Sequence, residues 1–291
     1  MSMFAGGAAA GVPYMLLAML VFSANDALAK HVAALCPLIQ LLFIRNLGAA
    51  LIVVPRVHAY GWLRALAVPR IGLHALRGAL ILIELALFYT AVPLIPLADT
   101  LTIYQASPIL TTALAVPILG ERVGWRRWTA VAVGFVGVVL VMRPGGAEGS
   151  MAHLIALAGA VVYAGVTLLT RLLRDAGPVP MIAWHVGGTL LAVALAAPFF
   201  WRPIDWTTAV LIAIMGVVST GGHVLNNRSL ALSPASVVMP FHYTQIVWGI
   251  VFGWLIWRDT PDGWMLSGAA LIVASGLFIM YRERVVRGGG A

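Results

Sequence analysis

The sequence predicts an all-α polytopic membrane protein of ten transmembrane helices, arranged as two inverted five-helix repeats with N- and C-termini cytoplasmic. Three observations predict it. Of 291 residues, 62% are hydrophobic and only 10% charged, and mean hydropathy is +0.98, whereas a soluble domain carries roughly a quarter charged residues. Ten apolar windows are each long enough to cross a hydrocarbon core, which takes roughly 20 residues. Lysine and arginine are distributed unequally between alternate connectors, as topology requires.

The ten windows are 13–33, 37–56, 71–93, 97–118, 125–143, 151–171, 179–200, 207–228, 234–257 and 263–282. The first is preceded by no basic segment and holds Asn25, Asp26 and Lys30, so it is expected to be retained as a span rather than cleaved. The others are separated by short connectors marked by Pro, Gly or charge: GERVGWRR at 120–127, RPGGAEGS at 143–150, RDAGPVP at 174–180 and RDTPDG at 258–263. With the N-terminus inside, 12 of the 18 Lys and Arg residues fall on cytoplasmic segments. Four (Lys30, Arg143, Arg202 and Arg258) fall outside, and Arg45 and Arg77 lie within spans. Most of the tryptophans sit at span ends, where interfacial belts place them. A net charge of +8 is thereby explained by topology, without nucleic acid as a partner.

Ten spans divide into five and five, and an odd number makes the second half enter the membrane from the opposite side. Echoes support the division. At an offset of 139, Tyr104 falls on Tyr243, Trp125 on Trp264, Gly137 on Gly276 and Arg143 on Arg282; at 138, Leu94 falls on Leu232 and Pro96 on Pro234. The halves are expected at 1–145 and 146–291. Inverted repeats of this kind place a substrate near the midplane, where the halves meet.

Polar residues inside spans each need a reason, because an ionisable group at the bilayer centre costs at least ~2.5 kcal/mol. Glu84 sits mid-span in LILIELALFY, with Arg77 seven residues earlier. It is either a carboxylate paired with an arginine of a neighbouring span, or a partner for a substrate amine or a coupled proton. Asp26 and Lys30 are four apart and share a helix face, so an intrahelical pair accounts for Lys30. Asn25 and Asp26 lie deeper, as cavity candidates. Arg45 is expected to pair with a carboxylate such as Asp26, and Asp99 to cap the fourth span. His223 and Asn227 are four apart on one face of the eighth span. Tyr89 and Tyr163 are deep enough to stack on an aromatic or apolar ligand, although packing is the commoner fate of such rings.

The stretch TIYQASP at 102–108 and its counterpart PFHYTQ at 240–245 combine these features. Pro108 and Pro240 each lack a backbone donor and disturb the preceding turn. In lipid, freed carbonyls are tolerated only where protein or cavity water satisfies them. Helices broken at corresponding places in the two halves point to a transporter site. Tyr104 and Gln105 are therefore expected on one cavity wall, with His242 and Tyr243 on the opposite one. Against this, prolines are common in membrane helices, and Ser, Thr, Tyr and Gln also serve simply to tie helices together.

Other chemistries lack their signatures. There is no GxxxxGK(S/T), HExxH or GxSxG, and the histidines are scattered without metal-ligand spacing. No enzyme activity, cofactor or metal is expected. Cys36 is alone, so no intramolecular disulfide can form.

The segments FSANDALAK (22–30), IRNLGAAL (44–51) and FYTAVPLIPLADT (88–100) resemble the EamA-type branch of the drug/metabolite transporter superfamily. Above all, so does LGERVGWRRWTAVAVGFVGVVLVMRPG (119–145). The second half keeps ALSPASVVMPFHYTQ (231–245) and a degraded junction, WRDTPDGW (257–264), without the Gly-Glu pair. The resemblance implies ten helices around a central cavity, lined mainly by spans 1, 3, 4, 6, 8 and 9. It also implies a small-molecule substrate and alternating access in a bacterial cytoplasmic (inner) membrane. Within the family the likeness is nearest to YddG-like exporters, so amino acids moving outward are the expected cargo. A drug-like cation, a nucleoside or a cofactor is the alternative, and a membrane-embedded enzyme or assembly factor the competing class. Both a monomer and a homodimer are compatible with the sequence.

Overall fold

A computed structural model describes residues 10–120, 124–143 and 150–288. Glu121, Arg122 and Val123 of the junction motif, and the loop carrying the expected boundary between halves, lie outside the described residues. Among those described, the regular structure is entirely helical. The long elements are α1 (Val12–Val32), α2 (Leu38–Tyr60), α3 (Ile71–Ala91), α4 (Leu97–Tyr104), α5 (Ser107–Leu119), α6 (Trp125–Met142), α7 (Ser150–Leu172), α8 (Pro178–Ala196), α9 (Trp206–Leu232), α10 (Thr244–Phe252) and α11 (Gly263–Gly288).

Their boundaries follow local chemistry. Pro13 stands in the first turn of α1 and Pro178 in that of α8, where a missing N–H costs nothing. Asp205 caps α9 by accepting from Thr208 N at 2.8 Å. Bonds from the Thr208 hydroxyl and amide hold its carboxyl below the usual carboxylate range. Gly61, at φ 98°, turns the chain out of α2 into a short helix, Trp62–Leu66.

Nine helical stretches among the described residues are long and apolar enough to span a bilayer, with α4 and α5 together forming one of them. The ninth expected span differs. Residues 235–257 form a helical turn at Ala235–Val238, a 3₁₀ segment at Met239–Tyr243, α10, and a π turn at Gly253–Trp257. Pro240 inside this segment cannot donate to the ladder, and the chain tightens to i→i+3 bonding around it. Large apolar side chains such as Leu51, Leu191 and Leu195 stand exposed around the bundle, a surface suited to hydrocarbon rather than water.

Packing pairs the halves. Helix α1 lies on α9 and α3 on α7; α2 crosses α8, and α6 crosses α11. Helix α10 packs on α1, and α4 with α5 on α7. Exchanging the two halves maps α1–α9 onto α3–α7 and α10–α1 onto the contact of α4 and α5 with α7, while α2–α8 and α6–α11 map onto themselves. Two crossings are made by bare backbone. An ideal Cβ at Gly216 of α9 would lie 2.6 Å from Ala49 N and closer still to Arg45 O, while Gly48 of α2 abuts Ala213 O in return. Gly137 of α6 faces Gly268 O at 2.8 Å in the same sense. Small residues at such crossings let helices pack closely in lipid, where no hydrophobic force drives them together.

One end of the bundle is tied by charge, in a pattern that corrects two expectations. Lys30 does not pair with Asp26. Its Nζ reaches Asp259 Oδ2 (3.3 Å) and Ile95 O (2.9 Å), and lies 4.9 Å from the centre of the Trp257 ring. Asp99 does not cap its helix, where Pro96 holds the cap position; its carboxylate sits 3.5 Å from His153 Nε2 and 3.9 Å from Arg143 Nη2. Arg143 in turn binds Asp262 at 2.6 Å. A partner of opposite charge offsets the cost of taking each charge out of water, and the connectors bring such partners within reach.

A central cavity between the two halves

The chain is interrupted twice, and the interruptions touch. Helix α4 ends at Tyr104, α5 begins at Ser107, and Gln105 and Ala106 form the turn between them with Pro108 in the next first turn. Gln105, 5% exposed, donates through Nε2 to Gln245 Oε1 (2.8 Å) and to His242 O (3.3 Å). Gln245 Nε2 passes the chain on to Asp26 Oδ2 at 3.0 Å. The carbonyl of His242, at the end of the 3₁₀ segment, is thus served by a side chain from the other half, which is what buried irregular backbone needs in a membrane. The two polar stretches are therefore hydrogen-bonded neighbours, not opposite walls.

Beside this junction opens a cavity of about 200 Å³. Asn25 and Asp26 reach it from α1, Glu84 and Tyr89 from α3, Tyr104 and Gln105 from the α4–α5 break, Tyr163 from α7, His223 from α9 and His242 from the broken segment. Two expected residues are elsewhere. Tyr243 is buried (6% exposed) with its ring against Gly276, among the apolar side chains of α6 and α11. Asn227 is exposed outside the lining, and its neighbour Asn226 takes the position. A residue one step along a helix points roughly 100° away, and that rotation decides the matter.

Arg45 was expected to be paired, and here the structure differs most. It lines the cavity from α2, a helix not expected to contribute, and Nη2 donates to Ser219 Oγ at 2.8 Å. Its guanidinium carbon stands 6.0 Å from the centre of the Tyr89 ring. Among the described residues, no ion pair within 4.0 Å joins it to Asp26 or Glu84. Glu84 likewise lacks Arg77, which binds Thr170 Oγ1 (2.8 Å) and Met181 O (3.4 Å) instead. Phe88 builds the apolar side, edge-on to Tyr89 (5.6 Å) and Tyr104 (5.2 Å), while Phe22 packs edge-on to His223 at 5.0 Å. The lining thus offers one cation, two carboxylates, amides and flat aromatic faces.

The EamA-like transporter family model matches this chain twice, over residues 9–143 and 150–281. The chain belongs to the EamA-like transporter family. EamA relatives of known role are similar over nearly its whole length. The S-adenosylmethionine uptake transporter of Rickettsia bellii is 25% identical over 277 residues, covering 94% of each chain. A riboflavin transporter of Vibrio cholerae is 26% identical, covering 94% of this chain and 93% of its own. The pseudopaline exporter CntI of Pseudomonas aeruginosa is 29% identical, covering 91% and 94%. One solved crystal structure superposes with a TM-score of 0.63 at 17% identity over 96% of this chain and 99% of its own, a likeness of fold. This EamA member is accordingly a multi-pass membrane protein, and the relatives named are small-molecule transporters.

Sequence reasoning missed several lining residues: Phe22, Leu85, Phe88, Leu101, Ser107, Ser219 and Asn226. Ser219 carried a usable signal, being four residues before His223 and so on the same helical face. The apolar ones carried none, since a Phe or Leu in a lipid-spanning helix is ordinary.

Proposed function

We propose that this EamA protein is a secondary transporter working by alternating access. Ten crossings, the broken segment 235–257 among them, put both termini in the cytoplasm of a bacterial cell. Halves 1–145 and 146–291 are inverted copies that rock about the central cavity. The observation that carries this reading is the contact of the two broken helices, Gln105 on Gln245 and His242, at the edge of a polar cavity drawn from both halves. A site shared in this way changes access when the halves move against each other. The protein does no chemistry on its cargo.

The relatives named above carry S-adenosylmethionine, riboflavin and pseudopaline, which shifts the cargo from a simple amino acid exported outward toward the cofactor alternative. The aromatic wall of Phe88, Tyr89 and Tyr104 suits a planar heterocycle. A second reading, transport of free amino acids, is favoured by the charges of both signs in the lining.

The test is flux into liposomes containing the purified chain, with radiolabelled S-adenosylmethionine, riboflavin, methionine, threonine and aromatic amino acids. Saturable, self-competed flux of at least one is expected. Tyr104→Ala and His242→Ala should each lower it roughly tenfold, since a stacked ring and its buried area are worth about 1–2 kcal/mol. No flux above empty liposomes for any of them would overturn the reading.

A further inference from the structure

Arg45 sits 7% exposed within a membrane-spanning bundle, with Nη2 donating to Ser219 Oγ and the Tyr89 side chain beside it. A guanidinium has five N–H donors in a rigid fork. Among the described residues, nothing bonds its buried Nε. Asn25, 5% exposed in the same cavity, has a buried Oδ1 without a donor. Asp26 accepts from Gln245 Nε2, and neither Asp26 nor Glu84 has an ion-pair partner within 4.0 Å among the described residues. A guanidinium and two carboxyl groups thus line one cavity without an ion pair within 4.0 Å between them. Left alone in a low-dielectric interior, such groups are costly; they are made good by a ligand that brings the complementary charges at the same separation.

We propose that these residues form an anchor for an α-amino-acid head group. The Arg45 fork takes the carboxylate, and Asp26, Glu84 and Asn25 take the ammonium. The assignment rests on the transport reading above and narrows its cargo to metabolites that keep a free α-amino and α-carboxyl group. The fork geometry matches a carboxylate bidentately, which a lysine at the same place would not do. Ser219 fixes one arm of the fork, and the Tyr89 ring lies alongside it. Arg45 lines the same cavity as the aromatic wall of Phe88, Tyr89 and Tyr104, where the rest of such a molecule would lie. A flavin-type cargo without that head group would leave both sets of groups unmet.

The test compares ligands before it compares variants. Equilibrium binding to the full chain in nanodiscs would be measured for S-adenosylmethionine and methionine, each as the free acid and as the α-carboxyl methyl ester, with riboflavin alongside. Wild type should bind at least one free acid roughly tenfold or more tighter than its ester, the size of a charge-assisted bond pair. In Arg45→Gln that acid-to-ester ratio should collapse toward one, and Arg45→Lys should recover only part of it. If Arg45→Gln does not fold, the wild-type ratio still decides. Equal binding of acid and ester by wild type would overturn the proposal. So would a ratio untouched by Arg45→Gln, or binding of riboflavin with neither free acid. Flux of riboflavin alone would sink the anchor and keep the transporter, whereas head-group binding without flux would keep the anchor and sink the transporter.

Discussion

Gly216→Leu is expected to yield no monodisperse folded protein, and Gly216→Ala to cost about 2 kcal/mol, the usual scale of overpacking a tight contact. The obstruction is backbone on both sides. A Cβ at Gly216 meets Arg45 O and, at 2.6 Å, Ala49 N, and neither atom can rotate away as a side chain would. Helix α9 would have to lift off α2. Gly48, which abuts Ala213 O from the other helix, would lose its seat in the same movement. The crossing also positions the cavity, since Arg45 belongs to it and Ser219 follows Gly216 by one turn. Even the alanine variant should therefore lower flux by more than its loss of stability explains. Gly187→Ala is the control, because nothing lies within 4 Å of a Cβ there. Melting of the purified chain in detergent and its elution profile are the readouts. A Gly216→Leu chain that melts like wild type would show that α2 and α9 do not cross on this glycine.

The contrast between what was and was not legible in the sequence runs along the difference between a helix and its neighbours. Spans could be read because crossing a bilayer imposes length and apolarity on each helix separately. The 235–257 segment shows the limit of that logic. Its residues are apolar enough, but Pro240 and the following 3₁₀ and π turns break it, and hydropathy does not see hydrogen-bond register. Within the site, residues chosen for being polar in a deep place (Asp26, Glu84, Gln105, His242) line the cavity. Those chosen by analogy fared otherwise. Tyr104 and Tyr243 are equals in the repeat alignment, yet Tyr104 faces the cavity and Tyr243 is buried against Gly276. A match of residues between repeats speaks to position along a span and leaves helix rotation free. Asn227, chosen for its spacing of four from His223, lies outside the lining, and Asn226, one residue away, takes the place. Arg45 failed for a different reason: its partner, Ser219, lies 174 residues away, and no local pattern ranks a serine there above Asp26.

At the tied end of the bundle, Lys30→Met combined with Arg143→Gln is expected to raise access to the cavity roughly thirtyfold. Two cross-links tie this end of the bundle. Lys30, with a side chain 10% exposed, joins α1 to Asp259 beyond α10. Arg143 joins the end of α6 to Asp262 before α11 and lies 3.9 Å from Asp99 at the start of the broken span. Half-exposed pairs such as Arg143 with Asp262 are worth about 0–1 kcal/mol each, and the less exposed Lys30 pair more. Together they bias an open–closed equilibrium by about 2 kcal/mol, which sets the thirtyfold figure. In the proposed topology this is the outer end, so loosening it favours an outward-open form. The assay uses Leu101→Cys, a cavity position near this end, in a Cys36→Ser chain that has no other thiol. Labelling by a membrane-impermeant maleimide added from that side should speed up in the double variant, and each single variant should give part of the increase. Restoring the contact with reversed charges, Lys30→Asp with Asp259→Lys, should slow it again, because the tie depends on attraction across the gap rather than on either side chain alone. Labelling rates identical to the parent chain in all variants would mean that these ion pairs decorate the end of the bundle and something else closes it.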